Sequence, residues 1–190
     1  ESAPAEEQTY VENIRAESRR MKKLVEEMLT LFRAESVRRE TAFSEVDLSD
    51  VVTDAALRFE PVVFESGRRL LYTIDEGLQV SGDRDALERL TGILLDNAVK
   101  YALPETPIRF VLEKGKPGVV LRCSNACTPL AEGETEKLFD RFYRSDQARS
   151  ADGSFGVGLS IARSIAEGHH GFIRAQCPQP GEIVFTAQLR

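Results

Sequence analysis

Three short stretches hold the side chains with chemical reach. The first is GILLDNAVKYALPE, Gly92 to Glu105, where Asn97 interrupts a run that reads as a buried helix. Asp96 precedes it, and Lys100 and Tyr101 follow about one turn on. Asn in a helix interior is worse than Ala by roughly 0.6 kcal/mol, and a buried amide needs partners. Asn97 is therefore bonded to a neighbouring loop or turned toward a ligand. Asp96 and Lys100, four residues apart, can equally be a plain surface salt pair. The second stretch, DGSFGVGLSIARSIA, leads through Gly153, Gly156 and Gly158 into an apolar-periodic helix. Glycines let backbone approach closely, and a helix N-terminus offers unbonded N–H groups and positive dipole to an anion. That is phosphate-cradling chemistry. The third, LRCSNACTP, places Asn125 near a strand end.

The elements that must position these residues follow from periodicity. Leu87, Leu90, Leu94, Ala98 and Tyr101 recur at helical spacing, so a helix runs from a cap at Asp83 to Ala102, before Pro104. DLSDVVTDAALRFEPVVFESG reads as an earlier helix, capped by Asp47 or Ser49 and stopped by Gly67. Alternation predicts a strand at RRLLYTID, and PIRFVLEK with GVVLRCS predicts a hairpin around KGKPG. A long polar stretch, Asn125 to Phe155, carries one helical piece at ETEKLFDRF. GFIRAQC and EIVFTAQLR close the chain as strands. The expected fold is an α/β sandwich, with helices on one face of a mixed, mostly antiparallel sheet.

Ahead of it, about Glu6 to Arg39 has no Gly or Pro and dense charge. Tyr10, Ile14, Met21, Leu24, Met28 and Leu31 fall three and four apart or at multiples of that spacing, a seam that predicts one long amphipathic helix needing a partner. Residues 41–47 read as a linker, dividing a helical segment (1–40) from a domain (48–190).

The bulk numbers narrow the function classes. The chain has 190 residues, 42% hydrophobic and 29% charged, an ordinary globular composition. A formal charge of -6 disfavours a broad nucleic-acid surface. Cys123, Cys127 and Cys177 are an odd count with no CxxC, which argues against a disulfide framework or a zinc site. No apolar run is long enough to span a membrane. The chain opens at Glu1 rather than Met, which suggests a fragment of something longer and leaves room for a membrane anchor upstream.

Taken in order, LLDNAVKY, LRCSNACTP, LFDRFYRSD and GSFGVGLSIA closely resemble the catalytic and ATP-binding domain of bacterial sensor histidine kinases, in the GHKL ATPase superfamily. The resemblance covers roughly residues 45–190. YVENIRAESRRMKKLVEEMLTLFRAES looks like the second helix of their dimerisation and phosphotransfer stem. The resemblance implies that Asn97 ligates the Mg²⁺ bridging the ATP phosphates, a neutral oxygen suited to a hard cation. It implies that Lys100 contacts phosphate as a point charge and that Tyr101 lies against the adenine. Asn125 stands where an Asp usually bonds the adenine amino group. Phe139 and Phe142 match the aromatic motif at the base of the ATP lid, with Arg141 and Arg144 near the phosphates. Gly153, Gly156, Val157, Gly158 and Leu159 match the second glycine box, and residues 143–155 match the lid.

The sequence also departs from that family pattern. Ile93 replaces a second Asn, and Cys127 and Pro129 stand where the first glycine box has Gly. Ile93 and Cys127 are what an alternative reading rests on, a degenerate kinase domain acting as a non-catalytic scaffold. Asn97, Lys100, Tyr101 and the second glycine box oppose it. A self-contained GHKL ATPase would carry a Glu where Ile93 stands. His169 and His170 occupy a structural turn in the family, and the phosphoacceptor His belongs to a helix that precedes this chain. The resemblance therefore implies phosphoryl transfer to a histidine outside the chain and a second kinase copy with the missing stem helix as partners. It further implies a response-regulator receiver domain, a place on the cytoplasmic side, and gating by movement about the linker.

Overall fold

The computed structural model of the chain describes residues 9–19, 21, 22, 25, 26, 28, 29, 43–131, 133–144 and 155–190. Residues 9–19 form a helix, α1, and residues 21, 22, 25, 26, 28 and 29 are helical too. Tyr10, Val11, Ile14, Met21, Val25, Met28 and Leu29 are all exposed. The seam predicted from spacing is thus presented to the outside. Leu24, Leu31 and the rest of the expected long helix lie outside the described residues, as do linker residues 41 and 42.

Residues 44–47, read as linker from the sequence, instead form strand β1 (Ser44–Asp47). It pairs antiparallel with β3 (Gln79–Gly82), placing Val46 opposite Val80. Neither four-residue strand has the length to show alternation, but both valines are buried. Between them come helix α2 (Leu48–Glu65) and strand β2 (Arg69–Ile74). Asp47 caps α2, its Oδ1 accepting the Asp50 N–H at 3.1 Å. Ser49, the other cap candidate, serves elsewhere. Its Oγ donates to Asp75 O and accepts Leu78 N–H, fastening α2 to the β2–β3 turn.

Helix α3 (Arg84–Tyr101) starts where predicted, with Asp83 Oδ1 accepting the Ala86 N–H. At its far end Arg68 donates to the carbonyls of Ala102 and Leu103, a cation where the helix dipole is negative. β4 (Pro107–Lys114) and β5 (Val119–Ala126) form the expected hairpin. A short helix α4 (Glu134–Lys137), helix α5 (Gly158–Gly168), β6 (Phe172–Gln176) and β7 (Glu182–Leu189) follow.

The main sheet has strand order β2-β4-β5-β7-β6. Only the β2–β4 pair is parallel, so the sheet is mixed and mostly antiparallel, as expected. Alternation sends Ile108, Phe110 and Leu112, then Leu121 and Cys123, then Phe185, Ala187 and Leu189 to one face. There they meet Val52 and Ala55 of α2, Leu87, Leu90 and Leu94 of α3, and Ile161 and Ile165 of α5. Each such Leu, Ile or Phe contributes about 1.5–3 kcal/mol by leaving water. Helices therefore cover one face, and the α3 and α5 backbones are held beside one another above the sheet.

Candidate functional site

The helical period that buries Leu87, Leu90, Leu94 and Ala98 turns a second edge of α3 away from the core. Arg89, Ile93, Asp96, Asn97, Lys100 and Tyr101 lie on that edge and form one wall of a cavity of about 370 Å³. The opposite wall is the turn into α5: Phe155, Gly156, Val157, Gly158, Leu159 and Ile161. Ile183 and Phe185 of β7 give a floor, and Asn125, Cys127, Thr128 and Leu130 close the end beyond β5. Leu138, Tyr143 and Arg144 complete the lining. A pocket with apolar walls and a few convergent polar groups is the usual form of a small-molecule site.

The state of Asn97 separates the two sequence readings. Among the described residues its side-chain amide has no hydrogen-bond partner. Asn97 is half-buried and opens on the cavity, so it is not an amide satisfied by a neighbouring loop. Lys100 is committed locally, its Nζ donating to Asp96 one turn back. That pair is the surface salt bridge the spacing allowed, and it stands on the cavity wall. Asn125 is 3% exposed, and its Nδ2 donates to Ala126 O at 2.9 Å. Its Oδ1 is left as an acceptor among the described residues. β5 extends through Ala126, so Asn125 is a strand residue facing the core side, not the first residue of the polar stretch.

Gly156 has φ +69, and a Cβ there would come within 2.5 Å of the Tyr143 carbonyl oxygen. The tightness arises because Phe142 N–H donates to Gly156 O at 3.0 Å, joining the two ends of the intervening segment. Gly158 differs: a Cβ there would meet only Ile93 Cγ2 at 3.6 Å, an ordinary contact. Glu134 holds the neighbouring corner, accepting from Ala131 N–H and from the Tyr143 hydroxyl.

Nine of the sequence candidates thus meet at one cavity: Asn97, Lys100, Tyr101, Asn125, Arg144, Gly156, Val157, Gly158 and Leu159. Arg141 does not join them. It is exposed on the turn after α4 and contributes nothing to the lining. α4 is four residues long, not the nine of ETEKLFDRF, so the helical phase that would aim Arg141 with Arg144 is lost. The aromatic pair also divides. Phe139 is buried edge-on to Phe185 with the Arg163 guanidinium 4.7 Å over its ring, whereas Phe142 is 55% exposed with φ +64. Gly153 and residues 145–154 lie outside the described residues. Arg89 is a lining residue that the motifs do not mark, although it sits two turns before Asn97 and one before Ile93, on the same edge.

The titratable groups fit this arrangement. Burial pushes the Cys123 thiol up to about 12, and Cys123 sits against the Leu94 carbonyl beneath α3. Burial also raises Cys127 in the cavity wall, with smaller raising effects from Cys177 and Glu182. Among the described residues no cluster of three His, Cys, Asp or Glu could hold a metal by itself.

This defines a class: an α/β sandwich whose pocket lies between two helices and pairs an open amide with a glycine turn. Residues 82–190 match the histidine kinase-, DNA gyrase B- and HSP90-like ATPase family, and the chain belongs to that family, carrying the ATP-binding catalytic domain found in sensor histidine kinases. The sensor protein DltS of Streptococcus agalactiae is 32% identical over 166 residues, covering 87% of this chain and 42% of that protein. The probable sensor protein PcoS of Escherichia coli is 35% identical over 175 residues, covering 91% and 37%. The chain therefore spans about two-fifths of the length of these relatives. Full-length ShkA, solved in complex with AMPPNP, superposes with a TM-score of 0.76 at 18% identity, over 97% of this chain and 40% of that one. Among the described residues no helix is long and apolar enough to cross a membrane.

Proposed function

We propose that this chain presents Mg-ATP for transfer of its γ-phosphoryl group to a histidine outside the chain, within a longer sensor kinase. The open amide of Asn97 carries this reading. A structural Asn would be satisfied by protein, whereas this one faces a cavity opposite a glycine turn. Its carbonyl oxygen suits Mg²⁺, which takes one or two protein ligands and otherwise uses phosphates and water. Bound Mg²⁺ would offset charge on the phosphates.

The chain's own groups bind and orient. Lys100 swings from Asp96 to a phosphate, and Arg144 and Arg89 add positive charge in the same cavity. Gly156 shapes the turn, and Gly158 admits the triphosphate close to backbone at the start of α5. Asn125 Oδ1 accepts from the adenine amino group, and Leu130, Ile183 and Phe185 exclude water around the base. Catalysis of this kind is positioning and charge stabilisation, with the nucleophile brought by the stem. His169 is no acceptor: it is 1% exposed and both ring nitrogens are bonded. Exposed apolar residues along α1 support a helical partner in a second copy, and the stem would also meet a response-regulator receiver domain. AMPPNP in ShkA supports a nucleotide in this fold.

The test is calorimetry of Mg-ATP binding to the chain and to Asn97→Ala. Saturable binding that requires magnesium and is lost in Asn97→Ala is the expected outcome. Absence of binding by the folded, unmodified chain would refute the proposal.

A further inference from the structure

His169 lies at the far end of α5 from the cavity and is bonded at both ring nitrogens. Its Nδ1 donates to Ile165 O at 2.8 Å, in the last turn of α5. Its Nε2 accepts the Asp83 N–H at 3.0 Å, at the cap of α3. One imidazole therefore fastens the C-terminus of the glycine-turn helix to the N-terminus of the Asn97 helix. The ring is tightly packed. Phe43 stacks on it at 4.9 Å with 12° between planes, and a Cβ on Gly82 would come within 2.4 Å of Cδ2. Phe43 lies immediately before β1.

We infer that the Phe43–His169 stack is a joint at the start of β1 that sets the attitude of α3 and α5, and so the width of the cavity. The inference rests on the reading that this cavity holds nucleotide. His169 is a positioning residue in it, acting through the two helices and touching no ligand. α5 has eleven residues and spans about 16 Å, so a tilt imposed at Gly168 reappears at Gly158. α3 packs along α5, with Ile93 beside Gly158, so the two helices respond together. Binding that closes the cavity must also bias the joint, because coupling between two sites is reciprocal.

The experiment uses Phe43→Ala, which removes the stacked ring and leaves both His169 hydrogen bonds, with Phe43→Tyr as the variant that keeps the stack. Where Phe43→Ala does not fold, Phe43→Leu replaces it. Mg-AMPPNP affinity and the amide NMR resonances of Gly156 and Gly158 are read in each. The ring current of Phe43 does not reach across the length of α5, so a direct effect on Gly158 is absent. Phe43→Ala is expected to move both glycine resonances and to weaken nucleotide by about fivefold or more, with Phe43→Tyr restoring both. Unmoved resonances, or an affinity within about twofold of the unmodified chain, overturn the joint. If the unmodified chain binds no nucleotide, it is the nucleotide reading that fails, and the glycine resonances alone decide the joint.

Discussion

Asn97, Lys100 and Tyr101 were legible because an α-helix repeats every 3.6 residues, so one buried stripe fixes the angle of every other side chain. Arg89 was legible by the same rule and needed only another two turns of it. Arg141 and Phe142 were not, because they follow a helix of four residues and sit on turns whose phase no period sets. Residue environments also set two outcomes. Cys123 is 0% exposed with its thiol held near 12, and Cys127 is 8% exposed, whereas Cys177 is exposed. An aromatic disulfide reagent is therefore expected to titrate one thiol rapidly in the native chain and all three after denaturation. Two fast thiols would mean that Cys127 is more open than described. His169 titrates below the ordinary histidine range, mainly through burial, against raising effects from Ile165 O and Asp83 and a lowering one from His170. Neutral imidazole is thus favoured by the fold. Its stabilisation is whole above about 6.5, the unfolded value, and falls away as pH drops toward the folded one. Melting temperature should fall between pH 7 and pH 5 more steeply for the native chain than for His169→Phe, the comparison that isolates this group from the carboxylates.

At the scale of elements, the starts of α2 and α3 were readable from Asp47 and Asp83, whose caps need only a carboxylate and free N–H groups. β1 and β3 were not readable. Four residues cannot display a period of two convincingly, and their pairing joins segments separated by a whole helix and strand. The two glycines at α5 behave as different elements despite one motif. Gly156→Ala would force a side chain into left-handed backbone and against the Tyr143 carbonyl, so it should destabilise the chain by about 1 kcal/mol or more. Gly158→Ala has room and lies in a helix, so stability should hold or rise by up to ~1 kcal/mol. If phosphate approaches the backbone there, Gly158→Ala should still weaken Mg-ATP. Paired melting curves and calorimetry on both variants separate the roles, and unaltered affinity in Gly158→Ala would place the phosphates elsewhere.

At the scale of the whole molecule, the exposed apolar residues of α1 and the buried sheet-and-helix body make different demands. The body satisfies itself, while α1 leaves its apolar seam facing outward. The body is also larger than the part by which its family is recognised. That part starts at residue 82, the last residue of β3, and leaves out β1, α2 and β2. Val51, Val52, Ala55, Ala56 and Val63 of α2 are each 0% exposed, so their removal would uncover matching apolar surface on α3 and the sheet. A fragment 82–190 should therefore lack a cooperative urea transition, while 43–190 keeps one. The parallel β2–β4 pair sharpens the point. Arg69 lies opposite Pro107, and closing a loop of about forty residues is a slow, late event compared with forming a hairpin. During synthesis β1, α2 and β2 emerge from the ribosome well before β4, so the strand that receives β2 has not yet been made. The earliest part of this body to be translated is among the last to find its place.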